Sequence, residues 1–345
     1  MIAVVGGIKT IVRMQMKLGG EPGFDDDMMA GGMAAGQPMG ANPDLSNIPG
    51  LAGMPDLSDM PGSTPSVYAK PERTPVGADP IEVRNCGCGF QIAKRLAEQG
   101  REVAMISVAG TDPMGPAAIE TLKSAGIDIR GVSRIEGLTP IDVETVNVLG
   151  DVEMKQSNDL LLNSLTPELV EKHIGILDAA EAIVLDGALP VETLKMIGTR
   201  YGKREDVKLF FDPAGLRGAG KGRVILEDLY CLMPGRMEAE ALTGLTILSE
   251  EQLNAAGTYF AEKGIARVII TMKGGGIYYR EGLQEGILRP ERVLSFLNTS
   301  GAGDVVSAAV IAELTAGKSV EEAAQEAMCQ AAAYLAEREA VKRGA

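Results

Sequence analysis

The chain predicts an α/β protein: one doubly wound, mainly parallel sheet with helices on both faces, and a small lid of strands. Three observations carry this. Past residue 80, short apolar runs alternate with amphipathic helical runs. The apolar runs are continuous, as strands buried on both faces are. Residues 140–155 alternate instead, with Val143, Thr145, Asn147 and Leu149 in step, and so read as an antiparallel pair belonging to the lid.

The first strand-like run is Ile2-Ala3-Val4-Val5. Further strands are expected over 103–108, 182–185, 208–211, 229–232 and 268–271, each a short block of Val, Ile, Leu or Phe. Helical spacing is found over 89–99, 116–125, 190–201, 236–243, 249–263, 305–316 and 320–339. Pro190 and Ser249 suit helix starts, and Gly100, Gly126 and Gly264 suit helix stops. The single histidine, His173, falls in a helical run over 167–177 and reads as a helix residue, not a catalyst.

The 345 residues suffice for one large α/β domain with an excursion. A net charge of −14 argues against a nucleic-acid or anionic-membrane surface. No apolar run reaches transmembrane length, and the N-terminus lacks the basic and apolar regions of a signal peptide, so a cytoplasmic protein is expected. Four cysteines make no disulfide framework in a chain this size. Cys86-Gly87-Cys88 could hold half a metal site, but without a second pair ordinary reduced thiols are expected.

Residues 14–80 differ from the rest. They are rich in Met, Gly, Pro and Asp and show neither helical nor strand periodicity. Such a stretch cannot bury enough apolar surface to offset its ordering entropy, so an insert disordered at the surface is expected, dividing a domain of 1–13 and 81–345. It holds a short repeat, Pro43-Asp44-Leu45-Ser46-Asn47-Ile48-Pro49-Gly50 and Pro55-Asp56-Leu57-Ser58-Asp59-Met60-Pro61-Gly62. A partner-binding or self-associating arm is the other reading of it.

The chemistry concentrates in Asn298-Thr299-Ser300-Gly301-Ala302-Gly303-Asp304-Val305, between a strand-like run over 293–297 and a helical run. A small-residue turn feeding a helix N-terminus aims backbone N–H groups and the positive end of the helix dipole at one point, which suits a phosphate. The amides of Gly301, Ala302 and Gly303 form the anion cradle on this reading, and Asp304 is the carboxylate placed to take a proton from an attacking hydroxyl. In-line phosphoryl transfer to an alcohol needs both.

This stretch resembles the C-terminal signature of the PfkB carbohydrate kinases, the ribokinase-like family. The resemblance extends over 1–13 and 81–345, and the middle region is most similar to the pseudouridine-kinase branch. Ser107-Val108-Ala109-Gly110-Thr111-Asp112-Pro113-Met114-Gly115 is similar to S-x-V-G-x-D-x-x-G, and Ala125-Gly126-Ile127-Asp128 to A-G-V-D. Thr139, Val184-Leu185-Asp186-Gly187 and Phe211-Asp212-Pro213 match further motifs. Met233-Pro234-Gly235-Arg236-Met237-Glu238-Ala239-Glu240 resembles T-P-N-R-x-E-A-E, and Ile270-Thr271 with Gly274-Gly275-Gly276 resembles the nucleotide-binding turn.

The resemblance implies an ATP-dependent kinase acting on a hydroxyl of a nucleoside or sugar-like small molecule, pseudouridine first among candidates. It implies Mg²⁺ with Glu238 in its shell, a nucleotide lined by Thr271, Lys273, Gly274, Gly276 and Thr299, and a monovalent cation near Asn298. It is compatible with a homodimer. Lys9, Gly87 and Gln91 fall where such kinases hold the acceptor.

Departures gather on that acceptor side. G-G-x-N-x-D becomes Gly6-Gly7-Ile8-Lys9-Thr10-Ile11, which replaces a hydroxyl-gripping aspartate by Ile11. G-G-x-x-x-N becomes Cys86-Gly87-Cys88-Gly89-Phe90-Gln91; N-x-x-E becomes Gly235-Arg236-Met237-Glu238; the first glycine of the nucleotide turn is Lys273. Lys9 has two readings: it contacts an anionic acceptor, or it pairs with a neighbouring carboxylate. A catalytically silent nucleotide-binding scaffold that uses the 14–80 arm for a partner is the alternative to a kinase.

Overall fold

A computed structural model describes residues 1–15, 81–146, 152–290 and 299–342, without the side chains of 339–342. The insert expected over 14–80 lies outside the described residues apart from Met14 and Gln15, as do the strand-like run over 293–297 and Asn298. The chain runs β1 (Ile2–Val5), β2 (Lys9–Gln15), β3 (Ile81–Cys86), α1 (Cys88–Glu98), β4 (Val103–Gly110), α2 (Met114–Ser124) and β5 (Asp128–Ile135). Next come β6 (Ile141–Val146), β7 (Val152–Asn158), α3 (Pro167–Glu171), α4 (Ile174–Asp178), β8 (Ala182–Asp186), α5 (Val191–Tyr201) and β9 (Lys208–Asp212). It continues through α6 (Leu216–Gly222), β10 (Cys231–Leu232), α7 (Arg236–Thr243), α8 (Glu250–Glu262) and β11 (Arg267–Met272). The hairpin of β12 (Gly276–Glu281) and β13 (Gln284–Leu288), then α9 (Ala302–Thr315) and α10 (Val320–Lys342), complete it.

The large sheet has the order β13-β12-β11-β10-β9-β8-β1-β4-β5, parallel from β11 to β5 with the β12–β13 hairpin antiparallel at one edge. Side chains alternate across it, so each strand feeds two cores. Ala3 and Val5 join Leu194, Ile197, Leu253 and Phe260 of α5 and α8. Ile2 and Val4 join Phe90, Leu96, Val310 and Ala324 of α1, α9 and α10. Every residue of α9 from Val305 to Ala312 is buried, as befits a helix that is apolar all round and wedged between the sheet and α10. Among the described residues, no helix is long and apolar enough to cross a membrane.

A second sheet, β3-β2-β6-β7, forms the lid; β6 and β7 are the antiparallel pair that the alternation predicts. β2 runs to Gln15, two residues beyond the domain boundary expected at 13, because Met14 pairs with Ile81 and so continues the ladder. The helix expected over 167–177 is two short helices instead; the chain breaks at His173, the N-cap of α4, whose Nε2 lies 3.3 Å from Ser133 Oγ. The expected strand over 229–232 contracts to β10, since Leu229 still closes a 3₁₀ turn onto Leu226. Ser249 caps α8 as expected, in a reciprocal pair with Gln252.

Candidate active site

From β1 the sheet is wound in opposite directions, through β4 and β5 on one side and through β8 to β11 on the other. In open α/β sheets the crevice beyond the strand ends at such a reversal is where ligands bind. Here Gly6 and Gly7 follow β1, and Asp186 ends β8. Asp186 is 1% exposed. Its Oδ2 accepts the amides of Gly7 and Gly89, both at 2.8 Å, and its Oδ1 accepts that of Ala188 at 2.9 Å. Burial pushes this carboxyl up, against the pull of those three amides. A Cβ on Gly89 would come within 2.9 Å of both Asp186 Oδ2 and the Gly6 Cα, so only glycine lets α1 begin this close to the strand end.

Asp212 ends β9 in the same way. It accepts the Ser307 hydroxyl at 2.6 Å and the Ala214 amide at 2.9 Å, which ties β9 to α9. Burial, then repulsion from Glu238, pushes it up to about 6. Asp304 stands in the first turn of α9 and is partly buried. Burial, then the charge of Asp212, pushes it up to about 8, while a hydrogen bond from the Cys88 thiol draws it down. Cys88 is itself raised well above an ordinary thiol, by burial and by Asp212, Asp304 and Asp186. The thiol therefore stays protonated and donates to Asp304.

A cavity of about 990 Å³ opens over Asp186, Cys88 and Asp304 and brings together Lys9, Gly87, Gln91, Gly301 and Asp304 from the sequence reading. Gln91 Nε2 donates to the Asn85 carbonyl at 3.0 Å. Gly301 is the N-cap of α9 in the left-handed region, at φ 86°, and a Cβ there would lie 2.6 Å from the Tyr334 hydroxyl. The Ala302 amide donates to the Thr299 carbonyl at 3.0 Å, closing the turn, so that member of the expected cradle already has a partner in this structure. Gly303 is exposed.

Lys9 does not stand free. Its Nζ is 2.6 Å from Asp159 Oδ1 and 3.6 Å from Asp142 Oδ1, which is the carboxylate-pairing arrangement. Thr271, Lys273, Gly274, Gly276, Thr299 and Glu238 do not line the cavity. Thr271 donates its amide to Pro234 at 3.0 Å at the end of β11, and Lys273 and Gly274 form the exposed turn into β12. Glu238 accepts the amides of Gly235 at 2.6 Å and Gly215 at 2.5 Å, capping α7 and fixing the loop after β9.

Asp142, Glu144, Lys155, Asp186, Asp212 and Cys88 are missing from the sequence-based set of site residues. Two signals were open to reading. An acid ending an apolar strand, as in Val184-Leu185-Asp186 and Phe210-Phe211-Asp212, points beyond the strand end. The period of two in Ile141-Asp142-Val143-Glu144 puts both acids on one face.

The chain matches the model of the pfkB family of carbohydrate kinases over residues 66–342. It is 26% identical over 223 residues to the pseudouridine kinase of Escherichia coli (strain K12), covering 64% of this chain and 70% of that protein. To the guanosine-inosine kinase of Exiguobacterium acetylicum it is 29% identical over 267 residues, covering 75% of this chain and 86% of that one. Of solved structures, it is similar to a ribokinase from Thermotoga maritima, with TM-score 0.69 at 20% identity over 96% of this chain and 91% of that one. The Arabidopsis thaliana ribokinase complexed with ribose and ATP gives TM-score 0.68 at 17% identity, over 96% and 90%. At such identities the structural likeness speaks for the fold, which is ribokinase-like. The family match spans most of the chain, and with it an acid at the head of a helix over a crevice at the sheet reversal: the chain belongs to the pfkB family of carbohydrate kinases and is a phosphotransferase.

Proposed function

We propose that this chain transfers the terminal phosphoryl group of ATP to a hydroxyl of a neutral nucleoside or sugar, with Asp304 as general base and pseudouridine as the first acceptor to try. The observation that carries the reading is the position of Asp304: first turn of α9, at the cavity, beside the Gly301 turn. The acceptor hydroxyl approaches Asp304, whose carboxylate takes the proton as the oxygen attacks phosphorus, and ADP leaves. The helix N-terminus faces the charge on the phosphoryl oxygens. A carboxylate raised to about 8 is a stronger base than an ordinary one, and the Cys88 thiol orients it by donating to it.

Mg²⁺ fits this chain in one way only. Among the described residues no group of three acidic, Cys or His side chains closes on a metal. Glu238, however, raises the cost of carrying charge on Asp212, and Mg²⁺ keeps most of its waters and takes few carboxylates. These two would hold a hydrated ion that neutralises phosphate charge. The test is a panel of pseudouridine, guanosine, inosine and ribose with ATP, scored for ADP release above the background without acceptor. Release with at least one acceptor is expected; background rates with all four would sink the reading and favour a silent nucleotide-binding scaffold.

A further inference from the structure

One face of the lid is laid out by strand register. Arg84 of β3 lies beside Ile11 of β2, Ile11 beside Asp142 of β6, and Asp142 beside Ser157 of β7. The next row along is Glu82, Arg13, Glu144 and Lys155. Arg13 and Lys155 therefore face acids across neighbouring strands, Arg84 pairs with Glu82 of its own strand, and Lys9 of β2 meets Asp159 just past β7. Arg13 Nη2 reaches Glu144 at 2.8 Å, Lys155 lies 3.0 Å from Asp142 Oδ2 and 3.3 Å from Glu144, Arg84 lies 2.9 Å from Glu82, and Lys9 sits against Asp159. Each of these cations already has a carboxylate, so among the described residues the lid offers an anionic ligand no cation free of an acid.

Asp142 is one of the members left incomplete, as are Arg84 Nε and Asp159 Oδ1. Its side chain is 7% exposed, and it lines the cavity. Lys155 holds Oδ2, but the buried Oδ1 has no hydrogen-bond partner, and the nearest cation, Lys9, stays 3.6 Å away. Burial works to raise this carboxyl, yet the Ser157 hydroxyl, Lys9 and Lys155 together hold it below the usual range, so it is an ionised, acceptor-only group. A buried acceptor oxygen on a residue that lines a cavity is unfavourable until a donor reaches it. Ile11, 4% exposed in the adjoining register position, gives that donor an apolar wall.

We propose that Asp142 is the lid's acceptor-binding carboxylate. Its Oδ1 takes a hydroxyl of a neutral, polyhydroxylated molecule and so presents another hydroxyl of the same molecule to Asp304. The proposal rests on the kinase reading and makes Asp142 the specificity-determining residue of that site. A carboxylate on β6 thus supplies what Ile11 on β2 cannot.

The test compares wild type with Asp142→Asn and with Glu82→Gln, an exposed acid of the same sheet that does not line the cavity. Pseudouridine, guanosine, inosine, ribose and ribose 5-phosphate serve as probes, read by ADP release with ATP and by melting shift without it. The isosteric Asp142→Asn should raise the KM of a neutral acceptor by roughly ten- to a hundredfold, with the KM of ATP within about twofold. It should also abolish the melting shift, while Glu82→Gln changes neither. A wild type that phosphorylates a neutral probe while Asp142→Asn keeps its KM overturns the proposal and leaves the kinase reading standing. So does equal loss in Glu82→Gln, which would mark a general charge effect, or a preference for ribose 5-phosphate over ribose. A melting shift that Asp142→Asn loses, in a protein without turnover, supports the site and overturns phosphotransfer. A wild type with neither turnover nor shift overturns both.

Discussion

In the floor of the cavity (Asp186, Asp304) and at the strand end next to it (Asp212), carboxylates end strands or open a helix, and main-chain amides, a hydroxyl and a thiol supply their donors; in the lid, the carboxylates meet side-chain cations. The consequences run in opposite directions. Burial and neighbouring acids push Asp212 and Asp304 up to about 6 and about 8, outweighing the pull of Arg84 on Asp304. Asp142, flanked by Lys9 and Lys155, is held low despite its burial. One cavity thus holds a carboxylate suited to taking a proton and another suited to staying ionised. Environment, not residue type, divides the work.

The largest expected effect comes from breaking the floor at its reactive end. Asp304→Asn should lower kcat by roughly two to four orders of magnitude while nucleotide affinity stays within a few-fold. Wild-type turnover in that variant would remove Asp304 from the mechanism. Next comes the structural end of the floor. Asp186→Ala leaves the Gly7, Gly89 and Ala188 amides without their acceptor, at about 1–3 kcal/mol for each buried donor. Denaturant unfolding should show a loss of roughly 3 kcal/mol or more. A loss under about 1 kcal/mol would mean that water replaces the carboxylate.

A third measurement sharpens the contrast through pH. As the proposed base, Asp304 must be a carboxylate, so kcat/KM for the acceptor should climb as pH rises and level off above about 8. Stability should run the other way. A carboxyl whose folded pKa lies above its unfolded value of about 3.9 binds more protons in the native state, so stability falls as pH rises from that value to about 8. Asp304→Asn removes this slope. It should melt above wild type at pH 8.5, with a gap that narrows toward pH 5; an equal gap at both would refute the raised pKa. The smallest effect belongs to the lid. Lys155 is 48% exposed, so Lys155→Met should cost below about 1 kcal/mol and the cost should shrink further in high salt.

The same contrast explains what could be read from the chain. Gly301 to Asp304 are consecutive and sit at a helix start, so the floor's reactive end was legible as local chemistry. The strand-end acids Asp186 and Asp212 were visible as motifs, but their function was not. The partners of Asp186 at Gly89 and Gly7 lie 97 and 179 positions away, and no local pattern announces them. The lid was legible as a pair of alternating strands and no further. Whether Lys9 reads an acceptor or pairs with an acid depends on Asp159 and Asp142, more than a hundred residues on, which only the assembled sheet brings beside it. Lys273, Gly274 and Gly275 form the link from β11 to β12, which their glycines mark as a turn in the sequence.

The triple acceptor at Asp186 also dictates when the site can exist. Gly7, Gly89 and Ala188 meet on one carboxylate only after β1 has found β8 on one side and β4 on the other. Closing such distant contacts costs loop entropy before any contact repays it, so their formation is late and slow. The start of α1 at Gly89 is tied to Asp186 only then. In refolding, recovery of ligand binding should therefore coincide with the slow phase that buries the central strands instead of preceding it. A partly assembled sheet would have helices and hydrophobic cores, yet nowhere to put a substrate.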